Sequence, residues 1–517
     1  MLDSGPPSTE RRRRCAGASI DCAWSARGVV GLGRRESARA ACGTLRGMSA
    51  AGSAPRPYRA LRHPHFRNLW LGQFVSLTGT QMQVVAINWH IYLLTHSPLA
   101  LGLVGLTRVV PIVVFSLWAG VVADQRDRRR VMLATQAVMT LVAVALAAMT
   151  VARREAVWLI YALNALSAAA AAFDGPARQA LIPRLVPSAD LTGALSLNLT
   201  AFHAAMIGGP ALAGLLIAGT NAGAGLAPAA AVVAPHAAGF SVSGDAADAS
   251  RLAWIYALNA LSFVAVIGAL LTLPAALGRP ARARAGAESP LAALRAGLRF
   301  VFRTPIMVWT MALDFLATFF SGAMSLLPIF ADQVLRVGPA GYGFLVAAPA
   351  AGALAGSIYT SIRPLPRKQG SVFLAAVAAY GFATIVFGLS RSYALTIVAL
   401  AAIGLADLVS TVIRQTIRQI ITPDELRGRM TSINMVFFMG GPQLGEAEAG
   451  LVASLFSSAA LGASVAVVAG GAATILTVIA VAALTPVVRR YDLAAHDPTA
   501  HDLAHDLAAV DRPPPLR

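Results

Sequence analysis

Between Gly120 and Leu133 the chain reads "GVVADQRDRRRVML". An apolar run, Leu99–Ala123, leads into it, and a second, Val131–Val151, leads out. The join is short and charged: Asp124, Arg126, Asp127 and three further arginines. About 20 apolar residues cross a hydrocarbon core of roughly 30 Å. A charged hinge between two such runs is the pattern of a chain that leaves a bilayer and re-enters it. The runs are rich in Ala and Leu and do not alternate apolar with polar. They therefore predict helices and not barrel strands.

The pattern recurs from about residue 68 to 488 of a 517-residue chain that is 56% hydrophobic and 13% charged. Mean hydropathy is +0.64. A soluble domain carries far more polar surface than this. The chain reads as an all-α polytopic membrane protein with twelve transmembrane helices. The first six are expected near Asn68–Thr95, Leu99–Ala123, Val131–Val151, Val157–Ala180, Leu191–Gly219 and Leu252–Leu277. The second six are expected near Thr304–Ala331, Ala340–Ile362, Gly370–Ser390, Tyr393–Arg418, Met430–Phe456 and Ala460–Val488. The net charge of +18 comes mostly from arginines placed between the runs, with Lys368 the only lysine. One set of alternate loops holds only Arg153, Arg154, Arg251, Arg336 and Arg391, and the segments of the other set hold 25 Arg or Lys from Ala51 to Arg490. That bias puts both termini in the cytoplasm and argues for topology, not nucleic-acid binding.

The expected layout is a cytoplasmic tail (1–67), a six-helix bundle (68–277), a cytoplasmic linker (278–303), a second six-helix bundle (304–490) and a tail (491–517). Cys15, Cys22 and Cys42 all precede Met48, where the composition changes. Met48 is the expected initiator, with residues 1–47 a gene-model extension. The linker's "SPLAALRAGLRFVFR" (Ser289–Arg303) has helical spacing and fits an amphipathic segment on the inner leaflet. The loop Thr220–Arg251 is Ala/Gly/Pro/Ser-rich.

The halves echo one another. "ARQALIPRLVPSADLTGALSLN" (Ala177–Asn198) answers "IRQTIRQIITPDELRGRMTSIN" (Ile413–Asn434), so that Arg178 corresponds to Arg414. "GGPALAG" (Gly208–Gly214) answers "GGPQLGE" (Gly440–Glu446). Duplicated six-helix halves related by an axis along the membrane normal are a transporter architecture. "YALNALS" also occurs twice, at Tyr161–Ser167 and Tyr256–Ser262.

The hinge after the second span resembles the signature of the major facilitator superfamily: Gly120, then Ala123-Asp124, then Arg128 and Arg129 before a helix. Asp127 stands where that signature has its second glycine. The resemblance implies two pseudo-symmetric six-helix bundles with a cytoplasmic latch, for which Asp174 is the expected acidic partner. The equivalent "SIRPLPRKQG" (Ser361–Gly370) has no aspartate. "AFDGPARQALIPRLVP" and "TPDELRGRM" resemble the superfamily branch that includes the enterobactin exporter. Gly209, Pro210 and Gly214 partly match the antiporter motif of drug–proton exchangers, with Ala213 in a glycine position. Together these imply a monomeric proton-coupled exporter of a siderophore, drug or other metabolite in a bacterial inner membrane. An importer of the same superfamily is the alternative. No nucleophile elbow, zinc motif or P-loop is present, so neither a membrane enzyme nor a cofactor is expected.

An ionisable group at membrane depth is costly and marks function by default. The candidates are Arg108, Asp314, Asp407, Glu446 and Glu448, with Gln443 beside them. Asp314, near the midplane, is the first candidate for proton coupling. The other reading of it is a salt bridge, for which Arg108 is a possible partner. Glu446 and Glu448 sit roughly 200° apart around their helix. Glu448 shares the face of Gly441 and Gly445 and reads as structural, in need of a partner. Glu446 shares a face with Gln443 and reads as cavity-lining. His90 and His203 read as hydrogen-bonding residues or proton carriers. The His-Asp repeats in Ala495–Arg512 fit a solvated tail or a metal site.

Overall fold

Asp127 begins a helix. Its carboxylate accepts from the backbone N–H of Arg129 at 2.9 Å and of Arg130 at 3.3 Å, satisfying donors that a helix start leaves free. Ser97 and Ser458 cap two other helices in the same way, and proline opens several more. The computed structural model describes residues 57–219, 246–274, 277, 290–363, 368–423 and 426–492. The expected initiator, most of the Thr220–Arg251 loop and the His-Asp tail lie outside these residues.

The first half holds α1 (Pro64–Thr95), α2 (Pro98–Gln125), α3 (Arg128–Val151), α4 (Val157–Leu181), α5 (Ser188–Ala218) and α6 (Ala246–Leu271). A linker helix (Pro290–Arg303) follows. The second half holds α7 (Pro305–Phe320), α8 (Gly338–Ile362), α9 (Gln369–Leu389), α10 (Tyr393–Ile421), α11 (Arg427–Ser454) and α12 (Ala459–Leu484). Ten of these segments are long and apolar enough to cross a membrane, α7 being counted through Val334. α1 and α11 are long enough but more polar. α1 carries Gln73, Gln81, Gln83, Asn88 and His90, and α11 carries Gln443, Glu446 and Glu448.

The seventh span is not the single helix its sequence predicts. α7 stops at Phe320, and the chain continues through a 3-10 turn (Met324–Leu326), a short helical turn and a π-turn (Phe330–Val334). The break falls at Ser321-Gly322, where a Cβ on Gly322 would stand 2.9 Å from the Gly445 Cα of α11. Close backbone approach between two helices thus replaces a continuous ladder.

The packing of the first half repeats in the second. α1 packs on α5 and α6, α2 on α4, and α3 on α4 and α6. Likewise α7 packs on α11 and α12, α8 on α10, and α9 on α10 and α12. Between the halves α2 lies along α11, and α5 along α8. All four of these crossing helices contain an internal proline: Pro111, Pro210, Pro349 and Pro442.

We call the end bearing Pro57, the linker helix and Tyr491 the terminal end, and the opposite one the far end. The contacts between halves gather at the far end. There one apolar cluster draws Trp89, Tyr92 and Leu101 from the first half and Phe330, Tyr342 and Leu345 from the second. At the terminal end each half has its own cluster, around Phe66, Met132 and Leu181 in one and around Phe373, Ile413 and Val478 in the other.

The repeated "YALNALS" has a structural meaning. On α4 the Tyr161 hydroxyl donates to the Ala100 carbonyl at 2.7 Å, and Asn164 Nδ2 donates to Thr107 at 2.9 Å, both on α2. On α6 the Tyr256 hydroxyl lies 3.1 Å from His90, and Asn259 Nδ2 donates to Gln83 at 2.7 Å, both on α1. Each copy uses Tyr and Asn, three residues apart on one face, to bind one neighbour.

Candidate functional site

The charged centre of the second half is built on α10. Asp407 and Arg414 are seven residues apart there, on one face of the helix. Arg414 forms an ion pair with Asp314 of α7, and its Nη2 stands 3.8 Å from Asp407. Its guanidinium also donates to the Ser410 carbonyl at 3.3 Å and to the Thr411 hydroxyl at 2.8 Å. Asp314, Thr318, Tyr380, Asp407 and Ser410 line a small cavity beside it. Asp314 lies nine residues past Pro305, about 14 Å from the terminal end of α7. The Asp314 side chain is 10% exposed, and both acids border the cavity. A buried charge persists when it is paired and hydrogen-bonded, and Arg414 supplies both conditions. The possible Asp314–Arg108 pairing is therefore corrected: the partner is Arg414, because α7 neighbours α10 whereas α2 follows α11.

The Glu446 carboxylate is within electrostatic range of Arg108 on α2 and of Tyr342 on α8. A Cβ on Gly105 would stand 2.8 Å from Glu446 Oε2. Gln443 Oε1 is buried without a hydrogen-bond partner, an arrangement that native interiors seldom keep. Glu448 is half-buried, and among the described residues it has no ion pair. The partner expected for it is not among the described residues. Its face, with Gly441 and Gly445, lies against α7.

The duplicated motifs occupy equivalent places. Gly209 of α5 approaches α1, where a Cβ would meet the Thr78 carbonyl at 2.9 Å. Its counterpart Gly441 of α11 approaches α7, where a Cβ would meet the Phe315 carbonyl at 3.2 Å. Pro210 and Gly214 abut Gly343 on α8, and Glu446 abuts Gly102 and Gly105 on α2. The last motif position thus lies at a crossing between halves both times, as glycine in one and as an acid in the other. Arg178 likewise reaches the first helix of its own half, where it donates to Gln73 at 2.7 Å. Arg414 reaches α7, where the acceptor is charged.

The hinge residues meet at the terminal ends of α3, α4 and α6. Arg129 donates to the carbonyls of Leu270 at 2.8 Å and Leu271 at 3.1 Å, closing the C-terminus of α6. Buried Arg128 donates to the Ala180 carbonyl at 3.4 Å. Asp174, expected to pair with the hinge arginines, instead accepts from Thr135 and from Gln136, each at 3.0 Å. The surroundings of Gly120 and the Asp124 side chain lie outside the description.

At the far end Tyr92 of α1 donates to Asp332, and Gln333 donates to the Tyr92 hydroxyl at 3.1 Å. Trp89 stacks on Tyr342 with centroids 5.4 Å apart. His90 Nε2 lies 3.6 Å from Glu155 in the α3–α4 loop. Burial holds the Glu155 carboxyl above the usual carboxylate range, against the pull of Arg153.

The sequence profile of the family described as "Transmembrane secretion effector" matches residues 55–238 and 229–511. The chain belongs to that family, within the major facilitator superfamily. The enterobactin exporter EntS of Shigella boydii is 26% identical over 398 residues, covering 77% of this facilitator and 87% of the relative. EntS of Escherichia coli O1:K1 matches to the same extent. Among solved structures, an inward-facing, occupied bacterial homologue of the human lysosomal transporter Spinster superposes with TM-score 0.63 at 15% identity. It covers 86% of the facilitator and 100% of the neighbour. A bacterial homologue of the iron transporter ferroportin, in its inward-facing state, gives 0.57 at 16% identity, with 80% and 97% covered. These two likenesses show the fold alone.

Two parts of the facilitator's site escape a reading of the sequence. Arg414 stands in the last turns of a span, where an arginine reads as a topological anchor; its only signal is the repeat match to Arg178. Asp332 falls one residue past the expected end of the seventh span, where an acid reads as solvated. No sequence signal connects it to Tyr92.

Proposed function

We propose that this facilitator is a proton-coupled exporter of small molecules that works by alternating access in a bacterial plasma membrane. One observation carries the reading: Asp314 and Asp407 share Arg414 at membrane depth beside a cavity. A proton on either acid removes one of the two negative charges holding the guanidinium. The contact between α7 and α10 then depends on protonation, which is what coupling requires. Asp407, at the cavity, exchanges the proton, and Asp314 holds the arginine beside it. Arg108, Gln443 and Glu446, beneath the far-end closure, are the polar contacts offered to a substrate, with Glu448 on the α7 side. The residues of the hinge act as the latch at the terminal end.

The arginine bias supports both termini in the cytoplasm. The far end is then the outer face, and the described state is closed outward, with the inner ends of the halves on separate cores. The units are a bundle at 68–277, a linker at 278–303 and a bundle at 304–490, acting as a monomer. The EntS relatives, named as enterobactin exporters, make enterobactin the first substrate to test, followed by metabolites that a deletion strain retains. The test is uptake into acid-loaded liposomes carrying the purified protein. Wild type should accumulate substrate against its gradient and lose this with a protonophore. Asp314→Asn should lose at least 10-fold of the gradient-driven uptake while keeping downhill exchange, a loss of the order that one buried charge pair supports. Equal gradient-driven uptake by Asp314→Asn, Asp407→Asn and wild type would remove the coupling role.

A further inference from the structure

The linker helix Pro290–Arg303 ends one residue before the start of α7 at Pro305, and so at the membrane boundary. Its buried face is settled. Val301 is 5% exposed and, with Leu298 and Phe300, packs on Met307 of α7 and Met430 of α11. The opposite face is not covered. Successive residues turn by 100°, so Arg295, Arg299, Phe302 and Arg303 share a strip about 100° wide. All four are exposed, Phe302 at 71%. Among the described residues, the three guanidiniums have no hydrogen-bond or ion-pair partner.

We infer that this strip binds the headgroups of anionic phospholipids in the bilayer that holds the protein. The chemistry of the strip selects that occupant. Three arginines in register offer forked donors to phosphate oxygens, and an aromatic ring among them suits the boundary between headgroup and acyl chain. A soluble acidic protein would not call for the exposed ring, and the position one residue from a span keeps the strip at headgroup depth. Because the helix packs on both α7 and α11, lipid held there ties the linker to the two helices that carry Asp314 and Glu446.

The experiment uses the purified full chain in neutral detergent micelles doped with phosphatidylglycerol, phosphatidylcholine or inorganic phosphate. Phosphatidylglycerol should raise the melting temperature above the phosphatidylcholine value, and high salt should reduce the gain. The triple variant Arg295→Gln/Arg299→Gln/Arg303→Gln should lose at least half of that gain. Arg489→Gln/Arg490→Gln, also at the terminal end, should keep it. Lipid titration followed by native mass spectrometry should show affinity falling about fivefold per arginine removed, the ratio set by roughly 1 kcal/mol per charge. Should the triple variant fail to fold, Arg299→Gln alone in the same titration decides the matter. An unchanged gain in the variants, or an equal gain with phosphatidylcholine or inorganic phosphate, overturns the proposal. An unchanged gain would leave the strip to an acidic protein.

Discussion

Arg414 concentrates the electrostatics of the second half in one side chain. Replacing it by Gln leaves Asp314 and Asp407 facing each other's charge without a counter-ion. Breaking a buried pair by removing one partner costs about 3–5 kcal/mol. Arg414→Gln should therefore lower the melting temperature in detergent. Adding Asp314→Asn should restore most of the loss. A single variant as stable as wild type, or a double variant no better than the single, would show that the pair is not held as described. Arg178→Gln is the internal comparison. Its partner Gln73 is neutral, so the cost should be smaller, about 1.5–3 kcal/mol. Asp314 was legible in the sequence because a lone acid in an apolar run has few innocent explanations. Arg414 was not, since an arginine near the terminal end of a span has an obvious one.

The crossings between halves work through backbone, not through side chains. A Cβ on Gly214 would stand 2.6 Å from the Pro339 carbonyl oxygen and 2.8 Å from the Gly343 Cα. On the other seam, a Cβ on Gly450 would stand 2.7 Å from both the Gly102 Cα and the Pro98 carbonyl oxygen. Small residues at such seams let helices in lipid gain van der Waals contact where no hydrophobic drive exists. Gly214→Ala should cost about 1–3 kcal/mol as overpacking. Gly208→Ala, six residues away on the same helix, meets nothing within 4 Å. It should be neutral or gain up to about 1 kcal/mol of helix propensity. Thermal unfolding of the two variants checks the contrast, and similar melting temperatures would mean that α5 and α8 are not so closely apposed. The twelve elements were legible because length and apolar composition are local properties. The break after Phe320 was not read there, although Gly322 and Pro328 are local helix breakers; it coincides with a close approach of Gly322 to Gly445 of α11. The resemblance of "GGPALAG" to "GGPQLGE" pointed to equivalent helices, but only the packing revealed that the seventh position of each faces the other half.

For the whole molecule, the far-end contacts must break if the substrate path is to open on that side. They combine an apolar cluster drawn from both halves, the Trp89–Tyr342 stack and the Tyr92–Asp332–Gln333 clasp. The clasp is the part that can be weakened without a cavity. Tyr92→Phe keeps the ring and removes the hydroxyl that donates to Asp332 and accepts from Gln333. A hydrogen bond to a charged group contributes about 1.5–3 kcal/mol, and a two-state equilibrium moves by whatever differential stabilisation is lost. The far-open state should gain population by roughly 10-fold or more. Ala449 of α11, 1% exposed within the far-end cluster, reports it. In a chain with its native cysteines replaced by serine, Ala449→Cys should react slowly with a membrane-impermeant thiol reagent. Tyr92→Phe should speed that reaction by about the same factor, and Asp332→Asn should do likewise. Trp158→Cys, at a site 70% exposed at the same end, should react quickly in both backgrounds and so control for general loosening. If the rate at position 449 stays unchanged in both clasp variants, the apolar cluster alone sets the closure. The coupling energy of the acids around Arg414 would then have to act on packing and not on a polar gate.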